Sequence, residues 1–322
     1  MELKQIRGEL FMSVTLDNVV VIAISSRALF DLDESNKVFQ EQGLEKYIDY
    51  QIAHEEEVLN KGVAFPLIKR LLNIRYPETD ENAFEVILVS KNDANTGLRV
   101  FNSIEKYNLN ITRAAFTNGR TPYTYLSAFN SALFLSAEPS DVNLALQNNH
   151  AAATILKGVK FEDDDSDELR IAFDGDAVIF SDESERVFQE KGLNEFKRHE
   201  AEKSDIPLGP GPFKAFLESI NRIQNAFRFE ENKPIRTALV TARNAPSHKR
   251  AIKTLRHWGI HIDEAFFLGG LDKVPVLERF KPHIFFDDQL SYCEPASLII
   301  PTGHVPSGIK NDCNEIQKDT LD

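Results

Sequence analysis

Cysteine is almost absent: the chain has two in 322 residues, Cys293 and Cys313, so no disulfide framework holds the fold. Also missing are any apolar run long enough to span a bilayer and any signal-like segment after the N-terminal MELKQIRGEL. The expectation is a cytoplasmic protein with no membrane partner. Basic charge is in short supply too. Lys and Arg number 37 against 50 Asp and Glu, a formal net charge of −13 with no basic cluster. That argues against a nucleic-acid polymer held through its backbone and leaves room for a small anion accompanied by a divalent metal. What is present suits a globular chain, with 42% apolar and 27% charged residues over a length sufficient for two domains.

The chain repeats itself. IAISSRALFDLDESNKVFQEQGL, from Ile22, aligns without a gap on IAFDGDAVIFSDESERVFQEKGL, from Ile171, at an offset of 149. Further on the offset becomes 151, pairing Val89 with Val240, Gly119 with Gly270, Leu126 with Leu277 and Phe134 with Phe285. Each copy reads as a strand (Val19 to Ile24; Arg170 to Phe173), a helical insert, a strand (Val86 to Val89; Thr237 to Val240) and a helix. A third strand (Ala114 to Phe116; Ala265 to Leu268), a short helix and a last strand (Leu133 to Leu135; Ile284 to Phe286) complete the copy.

Alternating strands and helices predict parallel sheets in an α/β, Rossmann-like class. Two pseudo-repeated lobes are expected, residues 1–160 and 161–322, each with a small, mostly helical insert at 31–82 and 181–233. The helix after the second strand should end in a left-handed cap, on Asn108 in one copy and Gly259 in the other. The acidic run from Glu162 to Glu168 between the copies reads as a solvated linker.

The copies differ where strands end. In the second, LRIAFDGDAVIF delivers Asp174 and Asp176 just past an apolar strand. Later strands are followed by Thr241, Lys273 and the pair Asp287 and Asp288; the first copy has Ser25 and Arg27, Ser90, Pro122, and Ser136 and Ala137 at those positions. Taken singly, each has a plain structural explanation: an acidic turn, a helix cap, a solvated lysine. As an ordered set they suit phosphoryl transfer. One carboxylate attacks phosphorus, a second exchanges protons with the leaving alcohol and with water, Thr and Lys hold phosphoryl oxygens, and acids at the last strand complete an oxygen shell for Mg²⁺. A duplicated scaffold needs its core twice but chemistry once, so the second copy is expected to be catalytic and the first a degenerate, non-catalytic repeat.

This order, hhhhDxD, hhhT, K, hhhDD, resembles the haloacid dehalogenase-like phosphohydrolases. The phrases SSRALF, RVFNSIEKY, AFDGDAVIFSDESERV, LVTAR, KTLRHWGI, DEAFFLGG, PHIFFDDQ and HVPSG resemble the cytosolic 5′-nucleotidase I family over about residues 12 to 308. The loop GGLDKVP departs from the GAPKGP form of animal members and keeps the lysine in register. The resemblance implies Mg²⁺-dependent hydrolysis of nucleoside 5′-monophosphates, AMP above all, through a phospho-aspartyl intermediate. It implies Asp174 as nucleophile, Asp176 as general acid/base, Thr241 and Lys273 on phosphate, and Asp174, Asp176, Asp287 and Asp288 around the metal, Asp176 through its carbonyl.

For the nucleoside the residues themselves offer less. Phe188 and Phe213 from the second insert and Arg27 from the first copy are candidate pocket residues, and Arg243 is a candidate phosphate ligand, a structural ion pair being the favoured reading of both arginines. His199 and His304 have no spacing that suggests zinc or a triad. Two other readings stay open: a phosphatase of another small ester such as a sugar phosphate, and a non-catalytic nucleotide-binding module. A homo-oligomer is compatible with the sequence and not required by it.

Overall fold

The computed structural model describes residues 16, 18–158 and 166–311. The N-terminal segment, Cys313 and most of the acidic run from Glu162 lie outside them. Ten strands form one sheet: β1 (Val20–Ile24), β2 (Phe84–Ser90), β3 (Arg113–Phe116), β4 (Ser131–Ser136), β5 (Ala152–Ile155), β6 (Leu169–Phe173), β7 (Ile235–Thr241), β8 (Glu264–Phe267), β9 (Ile284–Asp287) and β10 (Thr302–His304). Their order is β8-β7-β6-β9-β10-β5-β4-β1-β2-β3. Each half is thus a five-stranded parallel unit of the same order, the mixed α/β architecture expected of a haloacid dehalogenase-like chain.

Two parallel sheets were expected, and the structure replaces them with one. β10 and β5, too short to read from the sequence, pair antiparallel through Gly303 with Ile155 and His304 with Thr154. The pairing covers two strand edges that would otherwise be exposed. It also reverses direction between the halves, so the carboxyl ends of β6, β7 and β9 lie on the opposite edge of the sheet from those of β1, β2 and β4. Ligands of an open α/β sheet bind beyond those ends. The two halves therefore present two separate crevices.

Strand alternation explains the core. Val20, Ile22 and Ile24 of β1 face one side and Val21 and Ala23 the other, as a period of two requires. On the first side a single hydrophobic cluster runs across both halves; on the other, each half has its own. The shared face is filled by the rear helix of each insert. Phe65–Asn73 packs on β6 and Lys214–Ala226 on β4, each crossing to the other half's strands. Burying Phe216, Leu217, Ile220 and Ile223 there contributes about 1.5–3 kcal/mol apiece relative to exposure. The rear of each insert is therefore core and not cap, which corrects the expectation of a cap over the whole of 181–233.

The front of each insert is a helix pair, Asp33–Gln42 with Leu44–Ala53 and, in the second half, Glu183–Glu202 broken at Gly192. The break falls on Gly43 and Gly192, both with φ near +80° (85° and 78°), a conformation that favours glycine. The left-handed caps at Asn108 and Gly259 are present as well, with φ of 52° and 69°.

Candidate active site

Asp174 follows β6, its backbone N–H donating to the carbonyl of Phe286 on β9 (2.8 Å). The main chain then bends sharply. Ile179 and Phe180 donate back to the carbonyl of Gly175, and Ala177 takes φ of 60°, a left-handed conformation that costs an alanine about 1 kcal/mol or more. At Gly175 a Cβ would lie 3.2 Å from the Thr241 hydroxyl at the end of β7, tighter than ordinary contact. This close approach brings the first and second motifs together.

Lys273, just before the helix Val274–Phe280, is 2% exposed, so the solvated-lysine reading fails. Its ammonium donates to Asp174 Oδ1 and to Asp287 Oδ2 (2.6 Å) and lies over the ring of Tyr292. Burial opposes its charge, but Asp174 and Asp287 hold its pKa above the usual lysine value. Asp287 is anchored on its other oxygen by the N–H of Gln289 (2.9 Å). Asp288, 4% exposed, has an Oδ1 with no partner.

Asp174, Asp287 and Asp288 each place a carboxylate oxygen within 4.8 Å of the others. Burial, with the charge of its acidic neighbours Asp174 and Asp287, pushes the Asp288 carboxyl up to about 9. Burial likewise raises Asp174 to about 7, with Lys273 opposing and Asp287 and Asp176 adding. Three buried acids against one lysine, with an unpaired oxygen among them, form a donor set that a hard divalent cation fits.

Asp176 is turned away from this cluster. Arg243 grips it bidentately, Nε to Oδ2 at 2.8 Å and Nη2 to Oδ1 at 2.6 Å. The remaining guanidinium hydrogens go to Glu200, to Ser184 Oγ (2.8 Å) and to the carbonyl of Ser247 (3.3 Å). All five donors are used. Arg243, 3% exposed, thus has every donor engaged by the protein and holds Asp176 with two of them.

Behind it, Glu200 is fully buried and also accepts from Ser184 (2.8 Å) and Arg250 (2.9 Å). Burial alone would raise its pKa; Arg243 and the hydrogen bonds from Ser184, Arg243 and Arg250 bring it below the usual carboxylate value. The sequence reading missed Glu200 and Arg250, since a lone Glu in a polar helix carries no local signal. Their alignment on Gln51 and Arg99 was available as a clue.

The candidates for the nucleoside pocket fare differently. Phe213 is fully buried against Phe173, Phe216 and Phe286, and so belongs to the core. Phe188 is exposed on the front insert helix, edge-on to Phe196 with ring centroids 6.1 Å apart. Arg27 follows β1 and so lies on the opposite edge of the sheet from Asp174; it does not share that site. His304 is buried, its Nε2 3.0 Å from the Asp288 carbonyl, and supports the last motif from β10.

Comparison with known proteins points the same way. A family model described as 5′-nucleotidase matches residues 12–312. The human (Homo sapiens) protein named cytosolic 5′-nucleotidase 1B is 42% identical over 292 residues, which cover 88% of this chain and 48% of that protein. The chain thus spans about half the length of this curated relative. No solved structure matches it.

Proposed function

Because the chain belongs to the 5′-nucleotidase family, we propose that it hydrolyses nucleoside 5′-monophosphates to nucleoside and phosphate, with its chemistry in the second half. The observation that carries this reading is the buried set of Asp174, Asp287 and Asp288 around Lys273, at the carboxyl ends of adjacent strands β6 and β9. No other set of carboxylates, histidines or cysteines among the described residues converges in this way.

A carboxylate oxygen of Asp174 attacks the phosphorus, and the bond from phosphorus to the 5′ oxygen breaks as the phospho-aspartate forms. The departing 5′ oxygen takes a proton from Asp176, which must exchange its pair with Arg243 for the substrate to do so. Water then attacks the same phosphorus, gives its proton to Asp176 and releases phosphate with Asp174 restored. Thr241 and Lys273 hold phosphoryl oxygens where charge builds.

Asp174, Asp287 and Asp288 would hold Mg²⁺, with Asp176 contributing its carbonyl. When bound, the ion neutralises the carboxylates and the phosphate dianion so that the two can meet. With all three carboxylates ionised, Lys273 alone leaves that cluster net negative. The relative's name places that protein in the cytosol, and the reading for this chain is likewise of a cytoplasmic enzyme acting on a free small molecule; no helix among the described residues is long and apolar enough to cross a membrane.

The test is phosphate release with Mg²⁺ across AMP, IMP, GMP, the pyrimidine monophosphates, their deoxy forms and sugar phosphates. Nucleoside monophosphates are expected to be hydrolysed fastest, and release is expected to stop when EDTA removes the metal. Equal or faster turnover of sugar phosphates would overturn the nucleotide assignment and leave the phosphatase chemistry in place.

A further inference from the structure

We propose that the first half is a second nucleotide site, one that binds a nucleoside monophosphate without hydrolysing it. The inference rests on the nucleotidase reading of the second half. A cavity of about 370 Å³ lies over the carboxyl ends of β1, β2 and β4, lined on one side by the front helices of the first insert and open to solvent in part. That volume suits a small organic ligand, and the location is where an open α/β sheet binds one.

The wall on the insert side is duplicated. Phe39, Leu44 and Tyr47 line the cavity, and the repeat places Phe188, Leu193 and Phe196 at the same positions of the second half. The aromatic pairs share one geometry: Phe39 and Tyr47 are edge-on at 5.9 Å and 78°, Phe188 and Phe196 at 6.1 Å and 82°. Phe39 and Phe188 are 46% and 43% exposed, so neither is held in place by the core. A pair of accessible rings kept in both halves, above strand ends whose chemistry differs, fits what the two ligands have in common, a flat base.

The floor has changed in a particular direction. Ser25, Ser90 and Ser136 stand where the second half has Asp174, Thr241 and Asp287, and Arg27 stands in place of Asp176. No carboxylate stands at any of those four positions, so the nucleophile and the metal-binding acids proposed for the second half have no counterpart there. Of the acids that line the cavity, Asp141 is tied to Lys91 (2.9 Å) and Thr121 (3.0 Å), Asp93 to the N–H of Thr96 (2.7 Å) and Glu138 to the hydroxyl of Ser140 (3.3 Å). Among the described residues Arg27 pairs with Asp33, at 3.8 Å, and Asp33 is also held by Lys157 at 2.7 Å. Asn92, in the position of Arg243, donates nothing from its Nδ2. Hydroxyls, an amide and a lightly engaged guanidinium make a floor that accepts a phosphate with no metal.

The experiment is calorimetric titration of the full chain with AMP in EDTA, where the second half has no metal to bring its carboxylates and a phosphate together. Binding of AMP is expected, weakened at least tenfold by Phe39→Ala and by Arg27→Glu and unchanged by Phe188→Ala. Absence of binding, or binding that Phe188→Ala weakens and Phe39→Ala does not, overturns the proposal. Adenosine binding as tightly as AMP, with Arg27→Glu silent, overturns its phosphate half. Phosphate release with Mg²⁺ separates the two readings: hydrolysis without binding in EDTA removes the second site alone, and Phe39-dependent binding without hydrolysis removes the catalytic reading alone.

Discussion

The two halves keep the same framework under their strand ends and fill it with different charge. In the second half Glu200 joins Arg243, Arg250 and Ser184, and Arg243 holds Asp176. In the first, Gln51 stands for Glu200, accepting from Arg99 (3.2 Å) and donating to Tyr47 (3.1 Å), which donates in turn to Asn92 (3.0 Å). Arg99 and Arg250 are equivalent, as are Ser35 and Ser184. What the fold needs survives in both copies. The acids, Lys273 and Arg243 occur in one, as expected of groups that the proposed reaction needs and the shared framework does not.

The largest effect should come from removing that distinction at its centre. Asp174→Ser, which writes the residue of the first half into the second, is expected to lower phosphate release by on the order of 10⁴-fold or more, as loss of a nucleophile does. Circular dichroism should be unchanged, since the equivalent Ser25 is accommodated at the end of β1. Retention of activity within tenfold of the parent would show that the acid is not the attacking group.

Next in size is the buried network. Glu200→Gln installs the uncharged side chain of the first half and takes from Arg243 and Arg250, both nearly fully buried, the carboxylate they share, leaving each with one acidic partner, Asp176 and Glu183. A loss on the order of 3 kcal/mol in urea unfolding is expected. The pH dependence follows from the depressed pKa of Glu200. A carboxyl that is more acidic folded than unfolded contributes stability that is complete above its ordinary value of 4.5 and is lost as pH falls through the lower, folded value. The gap between parent and Glu200→Gln should therefore be constant from pH 7 to 5 and shrink below about 4.5. A gap that does not change with pH would place the effect in packing and not in charge.

Much of this was legible in the chain because the repeat acts as a control. Eight strands and the order Asp174, Asp176, Thr241, Lys273, Asp287, Asp288 follow from apolar runs and from what one copy has and the other lacks. The seam did not follow: Ala152–Ile155 and Thr302–His304 are too short to show a period, and their antiparallel pairing decides that Arg27 and Asp174 lie on opposite edges. Composition likewise does not say whether an aromatic faces a pocket or a core, and Phe213 was settled only by packing. Arg243 needed its partners to be seen, since a guanidinium that holds a phosphate and one that holds a carboxylate look alike in sequence.

The smallest expected effect tests whether the bend around the acids is itself part of the difference. Ala177 and Ala28 are equivalent and both buried, yet Ala177 has φ of 60° whereas Ala28 lies within the short helix Ser26–Leu29. Mutation to glycine removes one buried methyl in each case, about 0.8 kcal/mol, and adds the same freedom to the unfolded chain. Those losses cancel in the comparison. What remains is the backbone, since glycine relieves a left-handed alanine but gains nothing in a helix. Ala28→Gly should therefore be less stable than Ala177→Gly by about 1–2 kcal/mol in urea unfolding. Equal losses would mean that the turn carrying Asp174 and Asp176 is held without strain, and that the two halves differ in side chains alone.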